Sequence, residues 1–66
     1  MEAERVYNLA LTALQDYFYR MTSGGAWEQL VNSALSDPEG WKGDPTVYNL
    51  AMLVNSSAEE MKQKGP

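Results

Sequence analysis

Two stretches of this sequence carry apolar residues at helical spacing, and the same five residues stand near the start of each: Val6-Tyr7-Asn8-Leu9-Ala10 and Val47-Tyr48-Asn49-Leu50-Ala51. In the first stretch Val6, Leu9, Ala10, Ala13, Leu14, Tyr17, Phe18 and Met21 follow the i, i+3, i+4, i+7 pattern of an amphipathic helix. In the second, Val47, Leu50, Ala51, Val54, Ala58 and Met61 do the same. No run shows the sustained alternation of a strand. The copies lie 41 residues apart, a spacing found in helical repeat proteins, but only one unit and a fragment fit into 66 residues. The segments also diverge after the pentapeptide, so the repeat reads as convergence on one packing solution. The expected fold is all-α, a small three-helix domain in the order long, short, long.

Local signals set the helix ends. The first helix is expected over about 2–21, with Glu2 and Glu4 in the turn where the helix dipole favours negative charge. Ser23-Gly24-Gly25 ends it, because glycine takes the left-handed conformation that closes helices. A short helix over about 26–35 follows, with Ala26, Trp27, Leu30, Val31 and Ala34 on one face and Ser23 or Gly25 as its cap. Residues 36–44 form a loop in which Asp37-Pro38 opens a type I turn. Asp44-Pro45 then starts the third helix, expected over about 45–63: Asp as N-cap, Pro at the first helical position. The whole chain reads as a single domain, with Gly65-Pro66 a frayed end.

A domain of this size has a thin core and usually gains a staple from disulfides, a metal or a second copy. The sequence has no Cys and no His, which removes disulfides, thiolate zinc sites and the commonest metal ligand and general base. Oligomerisation or a larger protein partner is left. The net charge of −4, from nine acids and five bases, argues against direct contact with nucleic acid or anionic lipid. The opening Met1-Glu2-Ala3-Glu4 is acidic where a signal peptide would be basic, and no apolar run approaches the roughly 20 residues that span a bilayer. A soluble, cytoplasmic protein is expected, with no membrane partner.

The apolar arcs are wider than one small core requires. On a helical wheel the large apolar residues of the first helix spread over roughly 200°, from Leu9 round to Leu11 and Phe18, where about 100° suffices for a core-facing stripe. Tyr48 and Met52 widen the arc of the third helix on one side and Leu53 on the other. A second copy, in a homodimer, or a larger protein would cover the excess. Trp27 reads as core. Trp41, in a polar loop beside Gly40 and Gly43, reads either as a plug on the open end of the helices or as an exposed anchor of the kind that dominates interfaces. Tyr19 falls on the polar side of its helix and is the second anchor. The candidate partner-binding residues are therefore Trp41, Tyr19, Tyr7, Leu11, Phe18, Tyr48 and Met52.

Catalytic constellations do not emerge. Glu59 and Glu60 point in different directions on a helix. Asp37, Glu39 and Asp44 share a loop, but Pro38 and Trp41 break the spacing of a calcium-binding loop. Ser and Thr have no base to activate them. Gly24-Gly25 lacks the lysine and spacing of a phosphate-binding loop. A helix-turn-helix drawn from the second and third helices would have no Arg or Lys on its reading helix before Lys62. No enzyme activity, cofactor or metal is expected. In being tiny, acidic, helical and free of Cys and His, the chain is similar in composition to small phage-encoded or accessory proteins that bind a host machine. The expected function is a non-catalytic interaction module, an adaptor or inhibitor, that docks an aromatic and aliphatic helix face on a larger protein. The alternative is an acidic nucleic-acid mimic of the anti-CRISPR or anti-restriction type.

Overall fold

A glycine makes the first corner of the chain. Gly24 has φ of +73°, a conformation that an L side chain resists, and it follows the last turn of a helix closed by Thr22, whose N–H and hydroxyl both donate to the Phe18 carbonyl. In the computed structural model, which describes residues 2–64, helix α1 spans Glu2–Met21, α2 spans Ala26–Ser36 and α3 spans Pro45–Lys64. A 3-10 turn over Pro38–Trp41 joins α2 to α3. This is an all-helical bundle of one long, one short and one long helix.

Helix α3 starts where its chemistry places it. The Val47 N–H donates to the Asp44 carboxylate at 3.3 Å, satisfying one of the N–H groups that a helix start leaves unpaired, and Pro45 supplies a preset φ without needing an N–H partner. The Asp37-Pro38 turn continues further than a single type I turn. Gly40 N–H donates to the Asp37 carbonyl and Lys42 N–H to the Glu39 carbonyl, so two successive turns merge into the 3-10 segment.

Helices α1 and α3, 20 residues each, lie side by side and antiparallel. The Tyr17 hydroxyl, near the end of α1, donates to the Asp44 carboxylate at the start of α3 at 2.8 Å. Further along, Val6, Leu9 and Ala10 stand beside Leu50 and Leu53. Small residues on both helices, Ala3 and Ala10 of α1 and Ala51 and Ser57 of α3, are all buried. The Ser57 hydroxyl is satisfied by the Leu53 carbonyl of its own helix. Helix α2 has only 11 residues and covers the half of this pair nearest the Gly24 corner. Its far end is level with the middle of α3, where the Asn55 side-chain amide donates to the Leu35 carbonyl at 3.0 Å. The main core sits under α2 and consists of Leu14, Phe18, Val31, Ala34, Val47 and Ala51, with Trp27, Leu30, Leu35, Trp41 and Leu50 packed around it.

The packed stripe of α1 is narrower than its apolar arc. Leu9 is 64% exposed, and Ala13 and Met21 are also exposed, although the periodicity assigns all three to the packed face. Leu9 and Ala13 lie on the flank beyond Ala10, where an open groove runs between α1 and α3 and no described element follows. Met21 is the last residue of the helix and projects past the bundle end. Ala3, which the pattern omits, is buried instead.

Because Leu14 is fully buried at the centre of the core, Leu14→Ala should cost about 2–5 kcal/mol in urea denaturation, a large share of the stability of so small a domain. Ala13→Ser, one residue away on the exposed flank, should stay within about 0.5 kcal/mol of the parent.

Candidate functional site

The seven residues that sequence reasoning proposes for partner contact do not form one surface. Phe18 is 1% exposed and belongs to the core, so its side chain is not open to a partner. Its position on the α1 wheel faces both α2 and α3, and the junction of three helices leaves no open side. Leu11 is half-buried and packs against the same core from α1. Tyr7 and Tyr48 are half-buried on different helices. Met52 is exposed on α3, and Tyr19 is exposed near the end of α1.

Trp41 folds back onto the bundle end. Its ring meets Phe18 edge-on, with centroids 5.3 Å apart and planes at 66°, and its indole N–H donates to the Ser33 hydroxyl at 3.4 Å. The 3-10 turn swings the indole into this place. Of the two readings of Trp41, plug and exposed anchor, this position is that of the plug.

Tyr19 has a different setting. It is 60% exposed, and its ring stands almost perpendicular to that of Trp27, at 87° with centroids 6.2 Å apart. Trp27, read from sequence as core, packs against the core cluster but stays half-buried, because it lies in the first turn of α2 directly after the glycine turn. The two aromatics border an open hollow of about 350 Å³, whose other walls are Thr12, Gln15 and Asp16 of α1. Thr12, Gln15, Asp16 and Tyr19 recur at helical spacing, so one face of α1 supplies the floor and α2 supplies the indole wall. A smaller hollow of about 130 Å³ continues past Trp27 to Glu28 and Asn32. Asp16 pairs with Arg20 at 3.0 Å, one turn on, where both side chains are well exposed and such a pair is worth little. The sequence signal for the aromatic pair was present: Tyr19 and Trp27 flank the same tight corner.

A second open feature lies where the periodicity places Leu9 on the packed face. Val6, Leu9, Ala10, Leu50 and Leu53 line an apolar groove of about 250 Å³ between α1 and α3. Both copies of the repeated pentapeptide contribute to it.

Titratable chemistry is sparse. The Tyr17 phenol is raised above its ordinary 10.0, chiefly by donating to Asp44, with desolvation and the Asp44 charge acting in the same direction. Lys42 is raised above 10.5, first by its hydrogen bond to Glu39, which it meets at 2.7 Å. Among the described residues no three carboxylates gather as metal ligands, and no buried side-chain polar atom lacks a partner. No described helix is long and apolar enough to cross a membrane. The chain matches no protein-family model, no curated protein and no solved structure at a significant level.

Two measurements check this placement. The folded phenol of Tyr17 holds its proton more tightly than the unfolded one. Its contribution to stability is therefore complete below about pH 10 and is lost as pH rises through the raised folded value. Between about pH 8 and about pH 11 the urea midpoint of the parent should fall more steeply than that of Tyr17→Phe; parallel curves would remove the bond from the account. Separately, Trp41→Ala should lower stability by about 2 kcal/mol, as loss of a packed aromatic does, and Tyr19→Ala by less than about 1 kcal/mol.

Proposed function

We propose that this protein is a small non-catalytic interaction module, an adaptor or inhibitor, that docks on a larger protein through the aromatic corner of Tyr19 and Trp27. The observation that carries this reading is the state of Tyr19. A large aromatic side chain stands mostly in solvent, held edge-on against a second aromatic at the rim of an open hollow. Tyr and Trp are the side chains that most often anchor interfaces, because they bring much apolar area at little conformational cost and carry a polar tip. The pair is already oriented by α1 and α2, so little ordering remains to be done on binding. The hollow beside it is mostly apolar and has the hydrogen-bonding groups of Thr12, Gln15 and Asp16 to fix orientation. Met21, 61% exposed at the end of α1, adds a deformable apolar group close by in sequence.

The alternative of an acidic nucleic-acid mimic draws less support. Asp16, Glu39 and Glu60 are each paired with a cation on a neighbouring turn, and Asp44 is occupied with Tyr17 and the start of α3. A phosphate mimic needs rows of unneutralised acids.

A photoreactive amino acid placed in turn at positions 15, 19 and 62, in the cells that make the protein, tests the proposal. The expected result is one adduct with a larger protein from positions 15 and 19, absent from position 62, unchanged by moderate salt and lost with Trp27→Ala. Adducts of equal yield from all three positions, or an adduct that disappears steeply with salt, would sink it.

A further inference from the structure

The charged residues that line the two hollows beside Trp27 are both acidic. Asp16 borders the larger hollow, with Thr12, Gln15 and Tyr19, and Glu28 borders the smaller one. Among the described residues no Lys or Arg lines either hollow. Asp16 is paired with Arg20 at 3.0 Å, but Arg20 is not part of the lining. A carboxylate has about four lone-pair sites, so a second donor finds room there. Even with Arg20 counted, two acids stand against one base around this corner. The two rings add to the negative potential. An aromatic ring carries its negative charge on its face, and rings inclined at 87° leave a corner bounded by a face of each. Tyr19 is 60% exposed, so its ring is within reach of a ligand from solvent.

We infer that the Tyr19–Trp27 corner is a cation site that takes an arginine side chain of the docked protein. The inference rests on the reading of this corner as the docking site and adds the chemistry of the occupant. Charge complementarity makes the choice. An acidic segment would set like charges against Asp16 and Glu28. A wholly apolar segment would fill the apolar part of the hollow but would take the Asp16 carboxylate out of water with no donor in return. A cation on a long apolar stem meets both demands, because its methylene groups lie along the apolar wall while its charge reaches the rings and the carboxylate. Arginine suits the corner better than lysine. Its guanidinium is flat, weakly hydrated and able to stack on an aromatic face, and its fork of donors still bonds a carboxylate in the same plane. Gln15, which lines both hollows, has an amide oxygen to accept from the remaining donors. One exposed ion contact is largely screened, so this chemistry adds little salt dependence to a docking held mostly by apolar area.

The test is a nuclear magnetic resonance titration of the isotope-labelled full chain with three blocked tripeptides. Each has glycine on both sides of a central residue, which is arginine, citrulline (similar shape, no charge) or norleucine (apolar). The expected result is movement of the Trp27 indole and Gln15 side-chain amide signals with the arginine peptide, at an affinity about five times or more that of the other two. Asp16→Asn and Tyr19→Leu, both at exposed side chains, should each bring that ratio to about 2 or below, with far-ultraviolet circular dichroism unchanged. Norleucine binding as tightly as arginine overturns the inference and leaves the docking reading in place. Arginine selectivity that survives both substitutions also overturns it. So do shifts spread evenly over Glu59 and Glu60 of α3 instead of gathered at the corner, or no movement with any peptide. The docking reading is tested apart, by the cross-links from positions 15 and 19. An arginine-selective corner that gives no adduct there would keep the cation site and remove its use in docking.

Discussion

The structure depends on the close approach of α1 and α3. They are the two longest elements, they are far apart in sequence, and each buries small residues, Ala3 and Ala10 on α1 and Ala51 and Ser57 on α3. Small side chains let the backbones come near enough for dispersion contacts to accumulate along the shared length. Every other feature follows from that pairing. Helix α2 lies in the groove formed on one side, Trp41 closes the end, and the opposite side remains a valley of aliphatic side chains. Larger residues at the four small positions would overpack the interior.

Polar groups at the two ends fix how the pair is aligned. Asp44 has three tasks: its carboxylate caps α3, accepts the Tyr17 hydroxyl, and so ties the start of one long helix to the end of the other. Its backbone carbonyl also accepts the Tyr48 N–H, the first step of the helical ladder. One side chain thus couples a local decision, where α3 starts, to a tertiary one, how far α3 is shifted along α1. The surface ion pairs Asp16–Arg20, Glu39–Lys42 and Glu60–Lys64 are short-range and exposed, and they contribute to solubility more than to alignment.

Much of this was legible in the sequence, for reasons that are local. Gly24-Gly25 and Asp44-Pro45 act through backbone conformation and hydrogen bonding within a few residues, so the corners they make needed no tertiary knowledge. The long-short-long order follows from those corners. Burial was less legible, since periodicity tells which side of a helix is apolar but not which part of a wide apolar side meets a neighbour. Leu9 and Ala13 lie at one edge of that side and Phe18 toward the other, and only the position of α2 decides between them. The same ambiguity applies to Trp27 and Trp41, which are both half-buried against the core: one lies in the first turn of a helix, and the other is carried over the core by a 3-10 turn. The excess width of the arcs was visible from the start, but its location, between Leu9 and Leu53, required the crossing of two helices to be known.

The shortness of α2 has a consequence for how the molecule breathes. Near the Gly24 corner three helices and the Trp41 indole enclose large side chains, whereas Ala3 and Ser57 lie toward the end that α2 does not reach. Cooperative units in small proteins come apart first where the fewest apolar contacts hold them. Amide protons near the start of α1 and the end of α3 are therefore expected to exchange faster than those near the corner. The chain is in this respect a firm half joined to a softer one.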